Sequence, residues 1–207
     1  MKSLLLYLIC FSFSFCYAQQ KEEFKQVRNF YNQHRTMLNT EFKKKFDAET
    51  DAFGKAAIKR DFLFFMKKMD SIENVAMIGA LLKVRNLEDV NRLKNPYQKP
   101  EATQEGSITE KSADYPGGMN TLRNEIAKLF YSEGVYSEVK TVKAHVSFIV
   151  EKDGSVSNVH AQGDNFTFNR QAEIALYCIS EKFSPAIING VPVRYSYRLP
   201  LTMNIGD

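Results

Sequence analysis

Residues 191–205 read VPVRYSYRLPLTMNI, and this stretch decides the fold. Val191, Val193, Tyr195, Tyr197, Leu199, Leu201, Met203 and Ile205 occupy every odd position, while Pro192, Arg194, Ser196, Arg198, Pro200, Thr202 and Asn204 occupy every even one. Strict alternation predicts a β-strand with one buried and one wet face. Unbroken, it would be about 50 Å long. Proline brings no N–H, so Pro192 and Pro200 place at least part of this strand on a sheet edge. An open edge can accept a strand from another chain, which favours binding over catalysis.

Working back along the chain, two helices and a hairpin are predicted. Leu122, Ile126, Leu129 and Phe130 form one helical stripe. Phe168, Ala172, Ala175, Leu176, Ile179 and Phe183 form another, which Asn169 could cap. Between them, Asp153-Gly154 predicts a two-residue hairpin turn. Its register would place Val146, Phe148 and Val150 with Val159 and Ala161 on an apolar face. His145, Ser147 and Ile149 would share the other face with Asn158, His160 and Gln162. Helices should therefore cover one side only. Asn189-Gly190 is a second tight-turn signal. The expected fold class is α+β: a helical N-terminal region, then two helices on one face of a three-stranded antiparallel sheet.

Residues 19–93 read as helix. Phe24, Val27, Tyr31, His34, Leu38, Phe42 and Phe46 lie on one stripe. Phe53 to Ile72 predicts a second helix with a break near Gly54, Val75–Val84 a buried third, and Leu87–Leu93 a short fourth capped by Asn86. The heptad is not sustained, so a small helical bundle or hairpin is expected in place of a coiled coil. Residues 94–113 are polar, contain Pro96 and Pro100, and read as a linker.

At the N-terminus, Lys2 precedes the apolar run Leu4–Phe15, and Cys16-Tyr17-Ala18 offers small residues ahead of Gln19. This predicts a signal peptide over residues 1–18 and a periplasmic chain; an uncleaved inner-membrane anchor is the alternative. Of three cysteines, only Cys178 lies beyond residue 18, so no internal disulfide is available to the mature chain. The net charge is +4, with the excess in residues 19–113. That suits an anionic surface such as cell-wall polymer, although a solvated helical face is the simpler reading. There is no basic-aromatic motif for nucleic acid.

The motif order in residues 114–207 resembles the C-terminal domain of TonB, the energy transducer of Gram-negative envelopes, in the form common in Bacteroidetes. The matching residues are Tyr115-Pro116-Gly117-Gly118, the hairpin around Asp153-Gly154, the helix Asn169–Lys182, Phe183-Ser184-Pro185, Gly190, Pro192 and Tyr197-Arg198-Leu199-Pro200. The resemblance implies a partner rather than a reaction. Family members add a segment of an outer-membrane transporter to their last strand. Carried over, the partner-binding residues are Val193, Arg194, Tyr195, Ser196, Tyr197, Arg198, Leu199 and Thr202. The chain departs from the family pattern in its short, proline-poor spacer, in Tyr131-Ser132 where a Tyr-Pro pair is common, and in Phe183 where Trp is common. An envelope adaptor using the same fold is the alternative function, and a homodimer through the terminal strand is a further partner the edge allows.

No catalytic constellation is evident in the sequence, so no enzyme, cofactor or metal is expected. His145 and His160 share a face without a third ligand. Cys178 has no base placed to activate it. Tyr115-Pro116-Gly117-Gly118 lacks the Lys or Ser/Thr of a phosphate loop and reads as a structural turn.

The signal-peptide reading has a direct test. Mass spectrometry of periplasmic protein should find a chain starting at Gln19. An intact chain in the inner-membrane fraction would overturn it.

Overall fold

The computed structural model describes residues 15–94, 103–104 and 111–205, with side chains for 22–94 and 111–205. The apolar run Leu4–Phe15 falls almost wholly outside them. The elements are α1 (Phe15–Ala48), α2 (Ala52–Lys94), β1 (Thr103–Gln104), α3 (Gly118–Leu129), a short 3-10 turn (Ser132–Gly134), β2 (Thr141–Val150), β3 (Val156–Gln162), α4 (Phe166–Tyr177), β4 (Ala186–Ile188), β5 (Val191–Val193) and β6 (Tyr195–Asn204). Three long antiparallel strands run in the order β6-β2-β3, and β1 adds two parallel residues outside β6. The α+β class holds. No described helix is long and apolar enough to cross a membrane.

The helical region is a hairpin, as one of the two expected arrangements has it, built from two helices in place of three or four. The break falls at residues 49–51 instead of at Gly54. There the Asp51 carboxylate accepts from the Gly54 N–H at 2.8 Å, and Glu49 accepts from the N–H groups of Thr50 and Asp51. An acceptor at the helix start outweighs a glycine one turn inside it. Asn86 lies inside α2 and caps nothing. The predicted α1 stripe is half-buried or better except at His34, which is exposed. Arg35 turns inward instead, to Asp70 at 2.6 Å and to Glu73. Val75–Val84 is buried on one side only: Met77, Ala80, Leu81 and Val84 are inside, while Val75, Gly79 and Leu82 face out.

The C-terminal helices follow their predicted stripes. Leu122, Ile126, Phe168, Ala172, Ala175, Leu176, Ile179 and Phe183 are all buried. Asn165 rather than Asn169 caps α4, its side chain accepting from the Phe168 N–H at 2.8 Å. The helix therefore starts at Phe166 and ends at Tyr177. In Tyr115-Pro116-Gly117-Gly118, the Gly118 N–H donates to the Tyr115 carbonyl at 2.7 Å and Gly117 has φ 77°. This is the structural turn expected. Tyr115 is buried edge-on to Phe183, and its hydroxyl donates to Glu125.

The β2–β3 hairpin reaches the predicted facing by an unpredicted route. Its connection has three residues, Lys152–Gly154, and only Gly154 takes a positive φ, at 80°. The Glu151 N–H donates to Ser155 O at 2.8 Å and the Gly154 N–H to Glu151 O at 2.9 Å. The register is thereby offset by one, pairing Val150 with Val156. A bulge at Asn158, φ 50°, restores it, so Val146 pairs with Ala161. Gly154 has a second constraint: a Cβ there would collide with the Phe183 carbonyl, whose own N–H donates to Gly154 O.

The predicted fifteen-residue strand is broken at Arg194. Asn189 and Gly190 take positive φ and fold β5 back onto β4 as a separate two-stranded hairpin. Arg194 then turns to Glu151, donating through Nε at 2.9 Å and Nη2 at 2.8 Å. Glu151 also accepts from Ser157 and is buried. With Ile149 covered too, the sheet's second face is not wet throughout.

The helical hairpin and the C-terminal module share one core. Phe24, Met77, Leu81 and Val84 belong to the same buried cluster as Phe148, Leu176 and Leu199. Phe24 stacks on Tyr177 with ring centroids 5.1 Å apart. Structure also resumes inside the expected linker. The backbones of Lys111 and Ile187 pair, as do those of Asp114 and Ser184.

Phe148, stacked on Tyr197 at 5.4 Å, sits at the centre of the sheet's apolar face. Phe148→Ala should lose about 3–5 kcal/mol of stability in urea unfolding. Val75→Ala, on the exposed side of α2, should change it by less than about 0.5 kcal/mol. Equal losses would mean the core is placed wrongly.

Candidate functional site

A sheet of this kind has two edges, each with a row of backbone groups that need partners. At β3 three of the row's donors are already satisfied. The Ala161 N–H donates to Glu173 Oε1 at 2.8 Å, the Val159 N–H to the Tyr177 hydroxyl at 3.2 Å, and the Asn158 N–H to Glu88 Oε1 at 2.9 Å. The Tyr177 hydroxyl in turn donates to Glu88 at 2.8 Å. Glu173 and Tyr177 come from α4 and Glu88 from α2. The Asn158 bulge lets two successive N–H groups turn outward to meet them. Arg85 donates to Glu173, and His160 Nδ1 lies 3.8 Å from the same carboxylate.

Burial pushes the Glu88 carboxyl above the usual carboxylate range, although Tyr177 and Asn158 donate to it. Burial does the same to Glu173 against the pull of Ala161 and Arg85. Burial also raises the Tyr177 phenol, with Glu88 adding to the effect. These groups occupy the β3 edge and leave no room there for an incoming strand.

The β6 edge is different. Ala161 sends its N–H outward and is paired with Val146, so Val146 directs its backbone groups to the other side, at Leu199. Odd-numbered β6 residues therefore bond to β2. Ile205, whose N–H donates to Lys140 O at 2.7 Å, keeps the same parity. Even-numbered residues present their backbone outward: Ser196, Arg198, Pro200, Thr202 and Asn204. Pro200 is tolerated because its missing N–H would have pointed away from β2. Among the described residues, only Thr103–Gln104 pairs on this side, opposite Tyr195 and Ser196.

The predicted partner-binding residues divide along this parity. Arg198 and Thr202 are exposed and on the outward backbone row. Ser196 is on that row beside β1. Tyr195 and Leu199 are buried in the core. Tyr197 stacks on Phe148 and donates to Met119 Sδ at 3.2 Å. Val193 belongs to β5, and the Arg194 guanidinium is held by Glu151. Of the motif residues, Asp153 receives Lys182 Nζ at 2.8 Å, and Pro192 and Gly190 shape the β4–β5 hairpin. Pro185 lies between Phe183 and β4. These are structural positions away from the edge.

A groove of about 290 Å³ runs beside the open stretch. Pro200, Leu201, Thr202 and Met203 form one wall, and Arg123, Ile126, Ala127, Phe130, Ser132 and Phe168 form the rest. The sequence alone did not single out this helical wall or Asn204. The parity of Pro200 was the available signal for the outward row. Among the described residues, Arg123 is the only ionisable side chain lining the groove, so the groove favours an apolar or acidic group. Among the described residues, no three His, Cys, Asp or Glu side chains gather as metal ligands.

No protein-family model matches this chain, and no curated protein matches it. Among solved structures, it is similar to the NMR solution structure of the Helicobacter pylori TonB C-terminal domain, residues 179–285. Identity is 18%, the match covers 44% of this chain and 88% of that one, and the TM-score is 0.26. A score that low leaves the functional reading to the geometry of this chain.

Glu88 gives a pH test of the capped edge. A carboxyl whose folded pKa is raised makes the folded state bind protons more tightly, so its contribution to stability falls as pH rises through that range. Glu88→Gln keeps an acceptor for Asn158 and Tyr177 but removes the buried charge. The stability of Glu88→Gln relative to the parent should therefore grow between pH 4.5 and pH 8, measured by urea unfolding. A relative stability that shrinks with pH would show that the charge itself is stabilising.

Proposed function

We propose that this chain is a periplasmic TonB-like binding module, not an enzyme, that captures an extended segment of an outer-membrane transporter by strand addition. The observation that carries the reading is the open backbone row of β6 from Arg198 to Asn204, on a sheet whose other edge is capped. The order of motifs in residues 114–207 supports the class of partner. In β-augmentation, backbone bonds give affinity and alternate side chains give choice. Here the groove beside Pro200–Met203 would receive the side chains that point toward α3.

The affinity should be modest. Arg198, Thr202 and Asn204 supply donors, and Arg198, Pro200 and Thr202 supply acceptors. Each bond contributes about 0.5–1.5 kcal/mol net, and ordering the peptide offsets part of the sum. Binding in roughly the micromolar to millimolar range follows. A peptide long enough to reach Ser196 must also displace β1.

The second reading is an envelope adaptor without energy transduction. The shared core favours it: α1 and α2 are packed onto α4, so the module does not hang on a free spacer.

Cysteine cross-linking tests strand capture. With Cys10, Cys16 and Cys178 replaced by Ser, a Cys at Arg198 or Thr202 should form disulfides with single-Cys peptides copied from transporter N-termini. Reactive peptide positions should recur every two residues. If no such peptide cross-links, and amide signals of residues 198–204 stay fixed at millimolar peptide, strand capture fails and the adaptor reading replaces it.

A further inference from the structure

The turn that follows α3 stands between two cavities. Phe130 lines the groove of about 290 Å³ beside β6, as does Ser132, and packs on Phe168 with ring centroids 5.3 Å apart. Phe130 also lines a second cavity, of about 160 Å³, whose other walls include Arg35 of α1 and Glu73 and Asn74 of α2. On that second side the helical hairpin backs the turn. Gln171 of α4 is buried and donates to Asn74 Oδ1 at 2.6 Å. The backbone at Gly134 lies against this pair: a Cβ there would fall 3.0 Å from Gln171 Nε2 and 3.2 Å from Asn74 Nδ2. Glu133 accepts from the Tyr131 hydroxyl at 3.4 Å and lies 3.2 Å from Lys67 Nζ of α2. Lys67 and Glu133 are both exposed, so that ion pair adds little. The firm support is the Asn74–Gln171 pair.

We propose that α2 sets the width of the β6 groove, with Asn74 as the positioning residue that acts through the turn on Phe130. The natural occupant, a side chain of the captured segment, rests on the strand-capture reading. A close-packed interior holds each side chain in place by its neighbours. Phe130 borders a cavity on either side, so its place is decided by what fixes the backbone beside it. Asn74, anchored by Gln171, stops the turn from moving toward the helical hairpin. Without that stop, Phe130 can move into the second cavity, and the groove widens. A fixed apolar wall discriminates between side chains that differ by one methylene by about 10–200-fold, and a yielding wall gives that up. The helical hairpin thereby takes part in choosing the partner, without touching it. The coupling runs both ways: an occupant that presses Phe130 back is felt at Asn74.

The test uses benzyl alcohol and 2-naphthylmethanol, aromatic groups of two sizes that carry no peptide backbone. Their binding to the full chain is read from the methyl signals of Leu201 and Met203, which line the groove. Asn74→Ala should raise affinity for the larger probe relative to the smaller by at least about fivefold. Asn74→Asp keeps an acceptor for Gln171 and should hold the ratio near the parent's. Gly134→Ala wedges the turn off the Asn74–Gln171 pair and should move the ratio the opposite way. Leu81→Ala, in the shared core and outside both cavities, should lower the urea midpoint and leave the ratio unchanged. An unchanged ratio in Asn74→Ala, a shift as large in Leu81→Ala, or a Met203 methyl in the parent that neither probe moves would each overturn the proposal. Probes that behave as expected, while no transporter peptide cross-links at Arg198, would uphold it and sink strand capture alone.

Discussion

The structure depends on how the outward N–H groups of β3 are satisfied. A three-stranded sheet leaves half of each edge strand's backbone unpaired, and a buried unpaired donor costs about 1–3 kcal/mol. Here a carboxylate from α4, a carboxylate from α2 and the phenol between them stand where a fourth strand would be. That solution ties three levels together. It fixes α4 along the β3 edge, and it requires α2 to lie across the end of α4. It also brings Phe24 of α1 onto Tyr177. The helical hairpin is thus held by hydrogen bonds to the sheet as well as by apolar contact.

Much of this was legible in the sequence where periodicity is strong. The stripes of α3 and α4, the facing of β2 and β3 and the buried parity of β6 follow from spacings of two, three and four. What escaped was set by single polar groups acting at a distance in the chain. Asp51 moved a helix start three residues from the glycine that seemed to break it, and Asn165 took the cap from Asn169. Glu151 drew Arg194 out of line and ended a strand that alternation alone would continue. The hairpin is instructive because the turn offset and the Asn158 bulge cancel. The expected facing is right, while the turn that was to produce it is not the one present.

The candidate site was legible as a strand but not as a surface. Alternation identifies the buried side chains of β6, yet partner contact by strand addition depends on backbone direction, which is a separate parity. Pro200 carries that information, because it can sit only where no bond to β2 is needed. The residues facing β6 across the groove come from α3, from Phe130 and Ser132 just after it, and from Phe168, far apart in sequence, and no local pattern joins them.

The β6 edge does not accept every strand equally. A second copy pairing edge to edge through β6 would bring a Pro200 from each strand, so two donors would be missing from a contact of about seven residues. A peptide strand that has all its donors loses only one. Arg198 on each copy would add like charge at close range, whereas an acidic or neutral peptide would not. The edge is therefore better suited to a foreign extended segment than to itself, which argues against dimerisation through the terminal strand.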